Sequence, residues 1–454
     1  MKSTRREWFR LAGFGAVTRI VGGLGALAQE TGFNDGQRRI ARVIGEYEAQ
    51  GFHRTATAVD EESGRWLVDQ VRQAGLPATL EPFPVKRVDL QTCACTIANR
   101  RIDGIPLFDA PFTSAEGIRG RLGALDSDAE IGLAETAVNR AAVGPLGEAR
   151  RANRHRAIIA VTQGRKPGLC PSNADSFLSP FGPPTLQVSS EEGEWLADRA
   201  RQGSEAHVVA HVTRTPSTAL NVTTELKGVE PALAPLVVMT PRSGWYTCGS
   251  ERGGGIACWL EIIRGMATSR TRRSVVFVAS SGHELGHLGI DAFIAKRAGI
   301  VKNAIAWLHL GANIGAATRS TDVRLQASDD ELDQTFTNAL QSVGIKVAER
   351  AARSAVPSGE AGAVYRGGGR YASAICANTL FHNIADRGPE ATSPQAVAKF
   401  SSAFIAVTRS IAGTVGLSSG DGTASRCLLA LRCSLSDGYV FRRGEPCLFL
   451  GVVL

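Results

Sequence analysis

The chain has 454 residues, 43% hydrophobic and 21% charged, the make-up of a soluble globular protein with room for one large domain or two to three ordinary ones. Its formal net charge is +8, but Lys2, Arg5, Arg6, Arg10 and Arg19 stand against Glu7 alone before Ala28, so half of that charge is local. A remainder this weakly basic, with no long Lys/Arg run, gives no reason to expect nucleic acid as a partner.

In chain order, residues 1–28 read as a targeting segment. Arg5-Arg6, then Trp8-Phe9, a glycine-rich apolar stretch and Ala26-Leu27-Ala28 resemble a twin-arginine export signal with its cleavage pattern. The expectation is a bacterial protein exported to the periplasm or beyond. No stable membrane span should remain after cleavage, because Arg19 and the glycines make a poor bilayer segment and no other apolar run is long enough. Ile40, Val43, Ile44 and Tyr47 then fall at helical spacing, and Trp66, Leu67 and Val71 mark a second helix over 60–74 that Gly75 stops.

Residues 86–228 are short apolar runs broken by Gly, Pro and Asn. They predict strands at 156–164 and 206–214 with a short helix between, in a β-rich insert that folds as its own lobe. From 233 onward apolar strands alternate with helices. Strands are predicted at 233–240, 272–280 and 303–310, and helices around Ile256–Ile263, at 287–298 and at 329–344. A long helix is capped by Ser393, with Pro394 at its first position and Val397, Phe400, Phe404 and Val407 along one face. This alternation predicts an α/β fold with a doubly wound, mostly parallel sheet, built from 29–85 and 229–416, whose ligands sit at the carboxyl ends of the strands. The tail from 417 shows no helical period and is expected to be disordered. The nine cysteines include no C-x-x-C pair, so a cysteine zinc cage is not expected. Disulfides are open to an exported chain, but the sequence does not pair them.

The stretch "SSGHELGHLGIDAF" contains His283-Glu284-Leu285-Gly286-His287, which spells H-E-x-x-H, the zinc-protease helix motif. That motif needs a helix already running before its first histidine. Here Val275, Val276, Phe277 and Val278 are strand formers, Gly282 punctuates, and Gly286 and Gly289 weaken a helix interior. His283-Glu284 is therefore expected at a strand end facing the sheet's carboxyl edge, and His287 in the loop that follows.

The same stretch resembles the Glu-Glu region of the co-catalytic zinc exopeptidases of aminopeptidase type, which include bacterial leucyl aminopeptidases, glutamate carboxypeptidases and glutaminyl cyclases. "LVVMTPRSGWYTCGSERGGGIACWLEIIR" is similar to the family's His-x-Asp strand and bridging-aspartate helix. "AIAWLHLGANIG" is similar to its second aspartate strand, "NTLFHNIADRGPEATSPQAV" to its final histidine loop, and the insert to a protease-associated domain. The order and spacing hold over roughly 35–415. The resemblance implies a peptide or aminoacyl substrate and two zinc ions sharing a carboxylate.

Carried over residue by residue, that constellation is incomplete. The first histidine falls on Arg242, its aspartate companion on Gly244, the later aspartate on Gly311 and the base glutamate on His283. Glu251, Glu284 and His382 remain, and the resemblance assigns them to one zinc. What the resemblance implies is thus a single metal held by Glu251, Glu284 and His382, with His283 as base and Arg242 as a fixed cation for a substrate carboxylate. His309, on an apolar strand, reads as a packed histidine. Two function classes stay open: an exported zinc hydrolase of peptide or amide bonds, and a catalytically inactive member of the fold that serves as a binding scaffold.

Overall fold

The computed structural model describes residues 33–319 and 322–415, so the export segment and the tail from 417 lie outside the described residues. Helices start where the sequence supplies caps. α1 (Asp35–Ala49) opens with Asn34, whose side chain accepts from Gln37 N while the Gln37 side chain accepts from Asn34 N. α2 (Ala58–Gln73) is capped by Thr57. The residues read at helical spacing, Ile40, Val43, Ile44 and Tyr47 on α1 and Leu67 and Val71 on α2, are buried.

Two strands are much longer than their apolar runs. β1 (Thr79–Ile97) and β2 (Glu205–Leu226) pair antiparallel from Thr79 opposite Thr223 to Ile97 opposite Ala206, with one register slip between Leu90 and Thr92. The expected strand at 206–214 is therefore only the first part of β2. Its far end crosses into the main sheet. That sheet comprises β3 (Leu236–Pro241), β4 (Val275–Ser280), β5 (Ala306–Leu310), β6 (Val323–Ala327), β7 (Val347–Arg350) and β8 (Tyr371–Cys376). The order runs β7-β6-β8-β5-β3-β4-β2. β8, β5, β3 and β4 are mutually parallel, while β2 and β6 flank them antiparallel. The fold class read from the sequence, a mixed α/β structure around a mostly parallel sheet, is what the chain forms.

Alternation along these strands places apolar residues on both faces. Leu236 and Val238 of β3 join α1, α2, α3 (Gly254–Ala267), α5 (Asp330–Ser342) and α7 (Pro394–Ala412) in one buried cluster with Phe277, Leu308 and Leu310. Val237 and Met239 point the other way, into a cluster with Val278, Trp307 and the apolar sides of α4 (Leu288–Ala295) and α6 (Ala361–Arg366). On the insert side, Ile118–Ala124 pairs with the start of β2, and Ile131–Ala137, Ala157–Gln163 and Thr185–Ser189 follow in parallel. These strands enclose an apolar cluster of their own, with Ile131, Ile159, Val161, Leu186 and Val208 at its centre.

The connection after β3 leads to β4 on one side, and the chain then returns to β5 on the other. The crevice between β3 and β5 is thus a topological switch point, where such sheets take ligands. Among the described residues no helix is long and apolar enough to cross a membrane.

Gly254, in the first turn of α3, ties this edge together, since a Cβ there would lie 2.0 Å from the carbonyl oxygen of Ile314. Gly254→Ala is expected to force α3 away from the loop after β5 and to cost about 1–3 kcal/mol, as overpacking does. A urea midpoint equal to that of the parent would show that the contact relaxes freely.

Candidate functional site

Beyond Ser280, the last residue of β4, the chain turns sharply. Gly282 (φ +82°), a single 3₁₀ turn over His283–Leu285, Gly286 (φ +76°) and His287 (φ +67°) bring it to the start of α4 at Leu288. His283-Glu284 does stand at a strand end, and no helix runs through the H-E-x-x-H stretch. The loop is braced from the segment after β3: Ser243 Oγ accepts from Gly282 N at 2.9 Å and from His283 N at 3.1 Å. The two histidines meet nevertheless, edge to face, with ring centroids 4.9 Å apart.

Glu360, just before α6, completes this group. Its Oε1 lies 2.9 Å from His283 Nδ1 and its Oε2 3.2 Å from His309 Nε2, while His309 Nδ1 contacts Ser373 Oγ at 2.8 Å. Burial works against ionisation of Glu360, but the charge and hydrogen bonds of His283 and the hydrogen bond of His309 outweigh it and hold the carboxyl well below the usual range. Desolvation pushes the pKa of the half-buried His287 down to about 3. Among the described residues, His283, His287 and Glu360 are the one His/Cys/Asp/Glu group whose ligand atoms lie within 4.8 Å of one another. His283, His287 and His309 line a cleft of about 830 Å³, together with Gly311, Asp175, Asp291 and Phe381.

The residues expected to hold the metal go elsewhere. Glu251 and His382 do come together, with His382 Nε2 at 3.3 Å from Glu251 Oε1, but Arg252 donates to the same oxygen at 2.6 Å. Burial raises the pKa of Glu251, and the charges of Arg252 and His382 overcome that and hold it far below the usual range. Asp386 accepts from Ser250 N and Glu251 N beneath them, and burial pushes its carboxyl up to about 7. Glu284 is separate: its oxygens accept from Thr55 N at 2.6 Å and Ser243 Oγ at 2.8 Å. Glu251, Glu284 and His382 therefore do not assemble as one three-ligand set, because each carboxylate already has its own partners.

Arg242 is corrected in the same way. Its guanidinium is wholly buried, paired with Asp60 at 2.9 Å and donating to the carbonyl oxygens of Asp60 and Leu220, so it is not presented to the cleft. Asp60 comes from α2, far from Arg242 in sequence, and no local pattern announced it. The space beside Gly244 is also occupied. A Cβ there would lie 2.7 Å from Cys248 Sγ and 3.7 Å from both Arg252 Nε and Glu251 Oε1; at Gly311 it would lie 2.5 Å from Ile375 Cγ1. The two-zinc site implied by the resemblance does not fit these residues. Where the resemblance calls for a histidine, two aspartates and a glutamate, this chain carries Arg242, Gly244, Gly311 and His283, and the guanidinium groups of Arg242 and Arg252 are both buried in ion pairs.

His287 and Glu360 were not read from the sequence as functional. The i, i+4 spacing was a usable signal for His287 even without a helix. Glu360 had none, since its partners are 77 and 51 residues away.

No protein-family model matches the chain, and no curated protein matches it. Solved structures do. A zinc aminopeptidase from Bacillus subtilis aligns with a TM-score of 0.67 at 16% identity, over 83% of this chain and 94% of that one. An aminopeptidase from Aneurinibacillus sp. strain AM-1 gives 0.63 at 15%, over 82% and 93%. A peptidase M28 precursor from Shewanella amazonensis SB2B gives 0.62 at 14%, over 83% and 96%. At these identities the likeness is one of fold: the chain has the fold of the zinc aminopeptidases along nearly the whole length of those structures.

Arg252→Met should leave Glu251 buried without its guanidinium and cost about 3–5 kcal/mol in chemical denaturation. The double variant Glu251→Gln/Arg252→Met should recover most of the loss. A single variant as stable as the parent would mean that Arg252 is not what neutralises Glu251.

Proposed function

We propose that the protein is a hydrolase of peptide or amide bonds, of aminopeptidase type, acting on small peptides or aminoacyl compounds. The observation that carries this reading is the cleft of about 830 Å³ at the carboxyl edge of the parallel strands, with His283, His287 and His309 in its wall and Glu360 joining them. A cleft of that volume takes the end of a peptide chain, and it sits on a fold shared with zinc aminopeptidases. Glu360 holds His283 in one orientation, and His309 with Ser373 holds Glu360, so the polar groups that meet the substrate are set before it arrives. The zinc pair of the resembled family has no part in this reading, because Arg242, Gly244 and Gly311 stand where that family supplies ligands.

Two further assignments belong to this reading. Residues 86–228, with their own apolar cluster, are proposed as a protease-associated-like lobe beside the α/β core formed by 29–85 and 229–416. The segment 1–28 is proposed as a twin-arginine signal, which delivers the folded enzyme to the periplasm or beyond. Replacing Arg5-Arg6 by Lys-Lys should keep the chain in the cytoplasm, and the exported form should begin just after Ala28. An unchanged N-terminus would remove the export proposal.

The purified protein should cleave members of a panel of aminoacyl arylamides and dipeptides. His283→Ala and Glu360→Gln should each lower kcat/KM by about 10²-fold or more, the scale of a lost proton-transfer or orienting group. Full turnover in both variants would take this group out of the reaction. A complete lack of turnover across the panel would favour the binding scaffold.

A further inference from the structure

We infer that His283, His287 and Glu360 form a single divalent-metal site, distinct from the Glu251, Glu284 and His382 set that the resemblance implies, and that zinc is the ion it takes. The inference deepens the hydrolase reading above and locates its metal, but it stands on the side chains alone.

Proximity comes first. The three ligand atoms lie within 4.8 Å of one another, and His283 already touches Glu360 at 2.9 Å. Two tetrahedral ligands at zinc bond lengths of about 2.0–2.1 Å stand about 3.3 Å apart. Small rotations of side chains already in contact therefore suffice to close on an ion. Two imidazoles and a carboxylate are also the donor set of an open catalytic zinc site, in which water takes the remaining position.

Charge is the second argument. Four buried carboxylates can be compared. Asp60 faces Arg242, Glu251 faces Arg252, and Asp109 faces Arg150, all with both partners almost fully buried. Glu360 is equally buried, yet its ion-pair partners among the described residues are the imidazoles of His283 and His309 alone. Unlike a guanidinium, an imidazole can give up its proton, so it is no permanent counter-charge for a buried carboxylate, whose uncancelled charge is costly. A dication at this point cancels it and gives His287 a partner at the cleft wall, where no hydrogen bond to its ring is formed among the described residues.

The surroundings are built to hold that arrangement. His309 grips the second oxygen of Glu360 and is itself held by Ser373, the kind of outer support that metal-binding carboxylates and histidines have. Gly359 (φ +72°) passes so close that a Cβ there would sit 2.9 Å from His309 Cε1, which keeps the space beside the group clear. His287 is held in a left-handed backbone conformation that costs a non-glycine residue energy and persists only where its surroundings impose it.

The test uses the full chain, stripped with chelator, re-equilibrated with zinc and freed of excess metal. Elemental analysis is expected to find one zinc per chain. His287→Ala, at a half-buried position that should not disturb folding, and Glu360→Gln, which keeps the shape, should each weaken zinc binding by about 10²-fold or more. His382→Gln should leave it unchanged. Cobalt substituted for zinc should give a tetrahedral visible spectrum that is lost in His287→Ala, while near-ultraviolet circular dichroism shows the fold retained. Zinc binding that survives His287→Ala and disappears in His382→Gln would overturn the inference in favour of the Glu251 side of the edge. Two zinc ions per chain, or none, would overturn it as well. Stoichiometric zinc without hydrolysis would sink the hydrolase reading and leave the metal site standing; hydrolysis by the zinc-free protein would do the reverse.

Discussion

Two fully buried guanidinium groups decide what the carboxyl edge of this sheet can do. Arg242 follows β3 and is locked to Asp60 of α2; Arg252 precedes α3 and is locked to Glu251. Neither can give up its proton, and neither can move without stranding a carboxylate in the interior. They also organise the backbone. Arg252 Nε donates to the carbonyl oxygen of Ser243, and Arg242 draws on that of Leu220 on β2. Part of the framework that aligns β2, β3 and α3 at the cleft is therefore ionic. A dication brought to this side of the edge would be repelled by both charges.

The consequence falls on the other side, after β4 and before α6. With Glu251 and Asp60 neutralised internally and Glu284 spent on Thr55 N and Ser243, Glu360 is left to imidazoles. A fold shared with zinc aminopeptidases thus presents at its strand ends, in this chain, a buried carboxylate whose ion-pair partners are histidines. Fold and site are separable in this way because the sheet is held by apolar packing on two faces, which is indifferent to which polar side chains cap the strand ends.

The legibility of the sequence divides along the same line. The central strands and the helices between them were readable because burial on both faces writes continuous apolar runs, as in Leu236–Met239 and Val275–Val278, and because Ser393-Pro394 and Gly344 mark helix ends chemically. The length of β2 was not readable. Pro216 lies inside it among threonines and serines, which locally spell a break, and only its pairing with β1 carries the strand through. Strands β6 and β8, VRLQA and YASAIC, are as long as the strands that were readable but carry no unbroken run of β-branched or large apolar residues. In the site, Glu251 does meet His382, but Arg252, the very next residue, takes the same carboxylate oxygen, and adjacency in sequence does not announce such a pair. Glu360 was missed outright, since a lone glutamate after Ser358-Gly359 has no periodicity and no local partner.

The H-E-x-x-H stretch shows why a motif has to be read with its backbone. On a helix, histidines four residues apart converge because one turn brings them to the same face. Here the strand before His283 and the glycines at 282 and 286 forbid that helix, and that reading holds. The convergence survives all the same, through the 3₁₀ turn over His283–Leu285 and the left-handed residues Gly282, Gly286 and His287, which fold the segment back on itself. Gly286 is needed for this, because a Cβ at that position would press to 2.9 Å against the carbonyl oxygen of Asp175 in the insert. The glycine that argues against a zinc-protease helix is thus the residue that lets the two histidines meet. Rejecting the fold a motif usually implies does not reject the contact between its side chains, because the contact depends on the local path of the chain and not on the name of the secondary structure that supplies it.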